Sequence, residues 1–266
     1  MSRLLEDRAV VITGAGSGLG RSYALACAEA GAAVVVGDVD PDAAAQTVDT
    51  IIASGGRAVA VIGSVASWEV ARRLVGNCLD EFGRIDGMVT NAGIKHEAPP
   101  WEETEELLRE IVDVNVLGVQ FTARWATRAM IESGRGGAIV NVVSGARAGI
   151  RGMSAYGATK GAVASMTRNW AIEGARHGIR VNAISPLGLT RMALADTRPD
   201  RPDLPDPATV APAVVALLAA EDVTGQIIRF DGSRLSWYED EPLTGQVERE
   251  GWSAEEILGE LRRRSR

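Results

Sequence analysis

Seven short runs of apolar, mostly β-branched residues punctuate this chain, at residues 9–13, 32–36, 58–62, 87–90, 138–143, 179–184 and 226–230. Between successive runs lie segments whose apolar residues recur at helical spacing. Runs that are apolar throughout read as strands buried on both faces, the usual state of a strand in a parallel sheet. Strand and helix in alternation then specify an α/β domain, a doubly wound sheet with helices on both faces. Seven parallel strands are expected. At 266 residues the chain suits one such domain, expected over residues 1–232, with residues 233–266 as a C-terminal arm.

The first run leads straight into Gly14-Ala15-Gly16-Ser17-Gly18-Leu19-Gly20, and a helix-patterned segment continues to about Ala30. Strand, glycine loop and helix N-terminus together make an anion site, because bare backbone admits a pyrophosphate and the helix dipole favours its charge. Gly14, Ser17, Gly18, Leu19 and Gly20 are the expected contacts; a flexible surface loop is the competing reading. The second run ends at Gly37-Asp38, about 20 positions beyond the loop, where a carboxylate can accept hydrogen bonds from adenosine ribose hydroxyls. The same carboxylate would oppose a 2′-phosphate, so NAD(H) is expected over NADP(H). Arg21 and Arg57 weigh against this, and Asp38 as a plain turn residue before Pro41 is the alternative.

Residues 139–160 hold the reactive side chains. Tyr156 and Lys160 are four apart in a helix-patterned segment, 155–177, so they neighbour each other on one face. A free phenol titrates near pH 10, and ionising it close to neutrality requires roughly 4 kcal/mol. One ammonium about 5 Å away supplies on the order of 3 kcal/mol at an effective dielectric near 20. Lysine and one further positive charge therefore suffice to make the phenol a base. Ser144 follows the buried run 138–143, where a strand end opens on the crevice in which such sheets bind ligands. A solvated Tyr-x-x-x-Lys helix face is the bland alternative.

This set resembles the active site of the short-chain dehydrogenase/reductase family, and the glycine loop with Thr13 before it is similar to that family's loop. Asn91-Ala92-Gly93, with Thr90 ahead of it, resembles the family's Asn-Asn-Ala-Gly turn. The resemblance implies a Rossmann-type fold and reversible hydride transfer between a secondary alcohol and NAD. It implies Tyr156 as the base, Ser144 as the hydrogen-bonding partner of the substrate oxygen, and Lys160 as the cation that acidifies the phenol and binds the nicotinamide ribose. Asn115 is the implied relay residue; in the family it sits at a helix irregularity and holds a water that connects the lysine to solvent. From the residues alone, a packed core asparagine is the alternative. Asn91, Ala92 and Gly93 are expected to brace the sheet beside the cofactor ribose. Ser64 and Val65 are expected at the adenine, and Pro186 and Thr190 at the nicotinamide.

The departures are specific. Gly63-Ser64-Val65 stands where the family usually has an aspartate, Leu187 occupies a glycine position, and Thr190 follows Pro186 by four residues rather than five. That form, with Ser64, Glu173-Gly174, Arg191-Met192 and Val210-Ala211-Pro212, is similar to one branch, the dehydrogenase part of peroxisomal multifunctional enzymes of type 2. The branch implies 3-hydroxyacyl-CoA substrates, with steroids and alicyclic alcohols as competitors. Two readings of other classes are an NAD(H)-sensing protein without turnover and an interaction protein built on the arm.

A net charge of −7 argues against nucleic acid or an anionic membrane as partner. The two cysteines, Cys27 and Cys78, fall in helical patterns and suggest no disulfide framework, and two histidines offer no metal cluster. No apolar run is long enough to span a membrane, so a cytoplasmic protein with a small-molecule substrate and no metal is expected. Arg147 and Arg151 are candidates to flank the substrate mouth and attract a negatively charged part of a substrate, with exposed solubilising arginines as the alternative; segment 186–207, proline- and aspartate-rich from Ala193, is expected to cover it. Trp237 and Trp252 on the arm, with Tyr238 beside the first, imply burial against this subunit or a partner's; a homo-oligomer, tetramer or dimer, is expected, with a short helix from near Ser253.

Overall fold

Strand β1 (Ala9–Thr13) is buried along its whole length, and β2 (Ala33–Asp38) and β4 (Gly87–Thr90) pair with it in parallel on either side. The structure, a computed structural model, describes residues 3–190 and 204–239 together with Ile257 and Arg263. Outward from this centre lie β3 (Arg57–Ile62) beside β2, and then β5 (Gly137–Val142), β6 (Ile179–Pro186) and β7 (Ile227–Phe230) beyond β4. All seven expected strands are present and parallel.

The expected count of seven needs one correction. An eighth strand, β8 (Leu235–Trp237), runs antiparallel along β7, with Ile228 opposite Trp237 and Phe230 opposite Leu235. The turn that reverses the chain is built from Asp231, whose carboxylate accepts from the amides of Ser233 (3.0 Å) and Arg234 (2.6 Å), and from Gly232 at φ +88°. Bare β7 would present an unpaired edge, and this short strand covers it.

Helices α1 (Gly18–Glu29), α2 (Pro41–Ala53) and α7 (Pro207–Ala219) cover one face; α3 (Trp68–Phe82), α5 (Gly118–Ser133) and α6 (Ser154–Gly174) cover the other. The period of two along each strand divides the core between them. Val10, Ile12, Val34 and Val36 meet Tyr23, Ile51, Val214 and Leu218 on one side. Val11, Val35, Met88 and Ile139 meet Leu74, Val75, Ala126 and Met130 on the other. Cys27 and Cys78 are buried free thiols, one in each layer, and burial pushes both up to about 12, so they remain unreactive thiols.

Helix α7 begins five residues before the expected start at Pro212, because Asp206 caps it through the Ala208 amide (2.8 Å) and Pro207 occupies its first position. The helix expected over 155–177 ends at Gly174 and tightens into a 3₁₀ turn at Ala175–His177. Between α4 (Glu105–Val112) and α5 the chain makes one π-helical turn, Asp113–Leu117. Among the described residues no helix is long and apolar enough to cross a membrane. Of the expected arm helix only Ile257 and Arg263 are described, and Trp252 lies outside the described residues, as does the middle of the expected covering segment.

Successive strands step outward from β1 in one direction and from β4 in the other, so the order reverses between these two neighbours. A crevice opens above the C-terminal ends of strands at such a reversal. The glycine loop leaves β1 there and Asn91 leaves β4 beside it.

Candidate active site

The glycine loop is shaped by contacts that exclude side chains. Gly14 lies at φ +63° and Gly18 at φ +55°, a region glycine enters without strain. A Cβ at Gly14 would come within 2.9 Å of the Ala92 Cα, and one at Gly20 would overlap the Gly14 carbonyl oxygen. Helix α1 starts at Gly18 with no acidic residue in its first turn, and its N-cap Ser17 makes no side-chain cap. Helices α2, α3, α4 and α7 are each capped by a side chain, from Asp40, Ser67, Thr104 and Asp206. The helix end facing the crevice thus keeps its first amides available for an anion. A dinucleotide pyrophosphate fits this cradle.

Asp38 closes the cradle at the end of β2. Its carboxylate accepts from the Gly16 amide at 2.7 Å and the Asp40 amide at 3.1 Å, which fixes its direction at the crevice wall. Arg21 turns instead to the Thr47 and Thr50 hydroxyls of α2 (3.5 and 3.3 Å). Arg57 stacks 5.7 Å from the Phe82 ring at the opposite, N-terminal end of its strand.

The turn after β4 is laced to the loop. Thr13 Oγ1 accepts from the amides of Asn91 (3.0 Å) and Ala92 (3.1 Å), and the Asn91 side chain donates to the carbonyls of Thr13 (2.9 Å) and Gly14 (3.1 Å). Asn115 sits fully buried in the π-helical turn. Its amide brackets the Ile94 backbone, accepting from N–H at 2.8 Å and donating to C=O at 2.9 Å, and donates a second bond to Thr159 Oγ1 at 3.2 Å. Gly93 lies between this asparagine and Lys160; a Cβ there would stand 3.2 Å from Asn115 Oδ1 and 3.6 Å from Lys160 Nζ.

Ser144 follows β5 and caps the 3₁₀ turn Gly145–Ala148, accepting from the Ala146 amide at 3.2 Å. Its hydroxyl shares the cleft wall with Tyr156 on α6. Gly157 lets α6 approach that turn, since a Cβ there would lie 2.6 Å from the Ala146 carbonyl oxygen. Lys160, one helical turn beyond Tyr156, donates to the Val142 carbonyl at 2.8 Å and holds its ammonium 5.7 Å from the centre of the Tyr156 ring. Burial lowers the Lys160 ammonium to about 8. Burial raises the Tyr156 phenol, and the Ser144 hydroxyl pulls it back only in part. The lysine is thus close enough to act on the phenol, but without further charge it does not bring the phenol below its ordinary range.

These groups line one cleft of about 1010 Å³. Gly14, Ser17, Gly18, Leu19, Gly20, Asp38, Ser64, Val65, Asn91, Ala92, Gly93, Ser144, Tyr156, Lys160, Pro186 and Thr190 all face it; Asn115 stands behind its wall. Sequence reasoning did not single out Ser185, Arg229 or Lys95, which also line it. A lone polar residue inside a strand gives no signal of which way it faces until the register is known. Among the described residues no group of three or more His, Cys, Asp or Glu side chains stands close enough together to hold a metal ion.

Residues 8–201 match the family model for short chain dehydrogenases. The chain is 36% identical over 246 residues, 87% of its length and 98% of the relative's, to the cis-4-hydroxycyclohexanecarboxylate dehydrogenase of Sinomonas cyclohexanicum. A crystal structure of a short chain dehydrogenase from Mycobacterium avium superposes with a TM-score of 0.89 at 34% identity, over 98% of this chain and 95% of that one. Another, from Mycobacterium paratuberculosis and bound to NAD, superposes with a TM-score of 0.78 at 29% identity, over 86% of this chain and 97% of that one. Motifs, sheet order and these likenesses agree, and the chain belongs to the short-chain dehydrogenase family of nicotinamide-dependent oxidoreductases.

Proposed function

We propose that the protein is an NAD(H)-dependent dehydrogenase that interconverts a secondary alcohol and its ketone, with alicyclic alcohols as the substrate class. The observation that carries this reading is Ser144, Tyr156 and Lys160 together on the wall of the cleft that the glycine cradle opens into, with the Lys160 ammonium 5.7 Å from the centre of the Tyr156 ring. A nicotinamide dinucleotide bound in the cradle supplies the hydride acceptor and, when oxidised, a positive charge. Ser144 donates to the substrate oxygen and holds it beside the phenol. Tyr156 takes the hydroxyl proton as general base, and Lys160 lowers the cost of the phenolate. Asn115 keeps one lone pair of Oδ1 beyond its bond to Ile94, and its place behind Gly93 and Lys160 supports a part in returning the proton to solvent.

Preference for NAD(H) is supported by Asp38, held toward the cleft by Gly16, and by the engagement of Arg21 and Arg57 elsewhere. The alicyclic class is supported by the similarity to the hydroxycyclohexanecarboxylate dehydrogenase and by apolar walls from Ile94, Ile150, Met153, Leu187 and Leu204. The 3-hydroxyacyl-CoA branch has less behind it. Gly174 has a packing reason, because a Cβ there would come within 2.8 Å of the Ile179 carbonyl oxygen, and Arg191 and Met192 lie outside the described residues.

The test is turnover of cyclohexanol and other cyclic secondary alcohols with NAD⁺ and with NADP⁺, followed at the reduced-nicotinamide absorbance. Wild-type protein is expected to favour NAD⁺ in kcat/KM, and Tyr156→Phe to lower kcat by at least about a hundredfold. Near-normal turnover by Tyr156→Phe removes the mechanism, equal use of NADP⁺ removes the cofactor preference, and NADH binding with no turnover of any alcohol points to a sensor.

A further inference from the structure

Arg229 sits on β7 opposite Ser185 of β6, and both line the cleft. Its guanidinium reaches across to the residue after Ser144: a Cβ on Gly145 would stand 2.7 Å from Arg229 Nη1. With consecutive Cα atoms about 3.8 Å apart, this charge lies within about 8 Å of the Ser144 Cα. Among the described residues its side chain has one hydrogen bond, to the Tyr238 hydroxyl at 3.3 Å, and no carboxylate. Arg147 stacks on the same tyrosine, 4.3 Å from the ring centre, and also has no carboxylate partner among the described residues.

Six arginines elsewhere among the described residues, Arg3, Arg8, Arg72, Arg84, Arg109 and Arg128, are paired with acids, while others, such as Arg21 and Arg57, rest on hydroxyls or a ring. Neither of the carboxylates held at the cleft and its second cavity reaches these guanidinium groups: Asp38 is fixed on the Gly16 and Asp40 amides, and Asp231 on the turn amides. Arg151 adds a further cation to the cleft wall. In a chain of net charge −7, uncompensated guanidinium groups gathered beside Ser144 make a local positive field that an anion would fill.

We propose that the substrate carries a carboxylate a few bonds from its carbinol, and that Arg229 is the specificity residue that receives it. This rests on the alcohol dehydrogenase reading above and narrows it to hydroxy acids. The guanidinium offers its planar fork to the carboxylate, a geometry an ammonium cannot match. The Tyr238 hydroxyl braces the fork from the arm side, and Arg147 raises the potential through the same ring. Between carboxylate and carbinol, Ile150, Leu187 and Leu204 provide an apolar wall for the carbon skeleton. A second cavity of about 610 Å³ shares Arg229, Leu187 and Leu204 with the cleft, which leaves space on the far side of the guanidinium for a longer acid.

Binding, rather than turnover, is the decisive measurement. Butyrate, benzoate and cyclohexanecarboxylate are each titrated calorimetrically against the matching carboxamide, into full-length protein saturated with NADH. Wild-type protein is expected to bind carboxylates at least tenfold more tightly than amides, with the preference shrinking as salt is raised. Arg229→Gln is expected to abolish the preference and Arg229→Lys to retain part of it; if the glutamine variant does not melt as a folded protein, the lysine variant is read. Equal affinity for acids and amides in wild type, no carboxylate binding at all, or an intact preference in the variant overturns the proposal. Carboxylate preference without oxidation of any alcohol overturns the dehydrogenase reading and leaves the anion site standing. Oxidation of cyclohexanol without carboxylate preference overturns the anion site alone.

Discussion

Lys160 is 3% exposed, with a hydrogen bond to the Val142 carbonyl and no ion pair to offset its desolvation. Burial lowers its ammonium to about 8 in the folded chain, against 10.5 for a solvated lysine as in the unfolded chain. Below pH 8 both states hold the proton and the folded state bears the whole desolvation, about 3 kcal/mol. Between pH 8 and 10.5 the unfolded chain binds more protons, so the buried lysine becomes less destabilising as pH rises. Lys160→Met removes the charge and leaves the Val142 carbonyl without its donor, a loss of about 1 kcal/mol. The variant is therefore expected to be more stable than wild type by about 1–2 kcal/mol at pH 7, with the advantage vanishing by pH 10.5, in urea denaturation of both proteins without cofactor. The difference isolates the lysine, because Cys27, Cys78, Tyr23 and Tyr156, whose raised pKa values act in the opposite sense at high pH, are common to both. Equal stability across that range would mean the ammonium is not desolvated. A residue that lowers stability at the pH of use is retained for its chemistry.

At the scale of elements, two glycines on helices separate a shaped contact from an incidental one. On α1, Gly20→Ala would drive a methyl into the Gly14 backbone, which cannot yield as a flexible side chain would. On α6, Gly161 has nothing within 4 Å of the place a Cβ would occupy. Gly20→Ala is expected to abolish measurable NADH binding and lower stability by about 2 kcal/mol or more, whereas Gly161→Ala raises it by roughly 0.5–1 kcal/mol. Thermal melts with an NADH titration check both; NADH affinity surviving in Gly20→Ala would show that the loop is not the cradle. The loop was legible in the sequence because its glycines meet a buried strand and a helix start in one stretch, and the seven strands because burial on both faces demands runs such as Ala33 to Val36. The π-helical turn around Asn115 was not legible from spacing, since one extra residue in a turn leaves the apolar pattern of α4 and α5 nearly unchanged. The start of α7 was legible but missed: Asp206-Pro207 is a cap and first-turn pair, hidden among neighbouring prolines. β8 was missed because three residues, Leu235, Ser236 and Trp237, are too few to show a period, and Arg229 because only pairing with β6 and β8 reveals the side it faces.

Across the whole molecule, the start of the arm is part of the domain it follows. β8 completes the edge of the sheet, the Tyr238 amide donates to the Ile227 carbonyl at 2.8 Å, and the Tyr238 carbonyl accepts from Arg168 on α6 at 3.2 Å. Burial raises the Tyr238 phenol, but hydrogen bonds with Ser185 and Arg229 and the charges of Arg229 and Arg147 outweigh it, so the phenol ends below its ordinary range. One residue of the arm therefore touches β6, β7, α6 and the turn after Ser144 at once. Leu235 and Trp237 remain 46% and 57% exposed, so the strand contributes mainly hydrogen bonds and the tyrosine contacts rather than apolar burial. Those contacts sum to about 2–4 kcal/mol, at roughly 1 kcal/mol for each net hydrogen bond and somewhat less for the stacked guanidinium. Ending the chain after Gly232 is expected to lower the unfolding free energy by that amount and to promote association through the uncovered β7 edge. Ending it after Glu239 keeps β8 and Tyr238 and is expected to hold the unfolding free energy within about 1 kcal/mol of wild type. Urea denaturation and light scattering on the two truncated proteins decide it. Equal losses from both cuts would place the stabilising contacts beyond Glu239, and no loss from either would show that β7 tolerates an open edge.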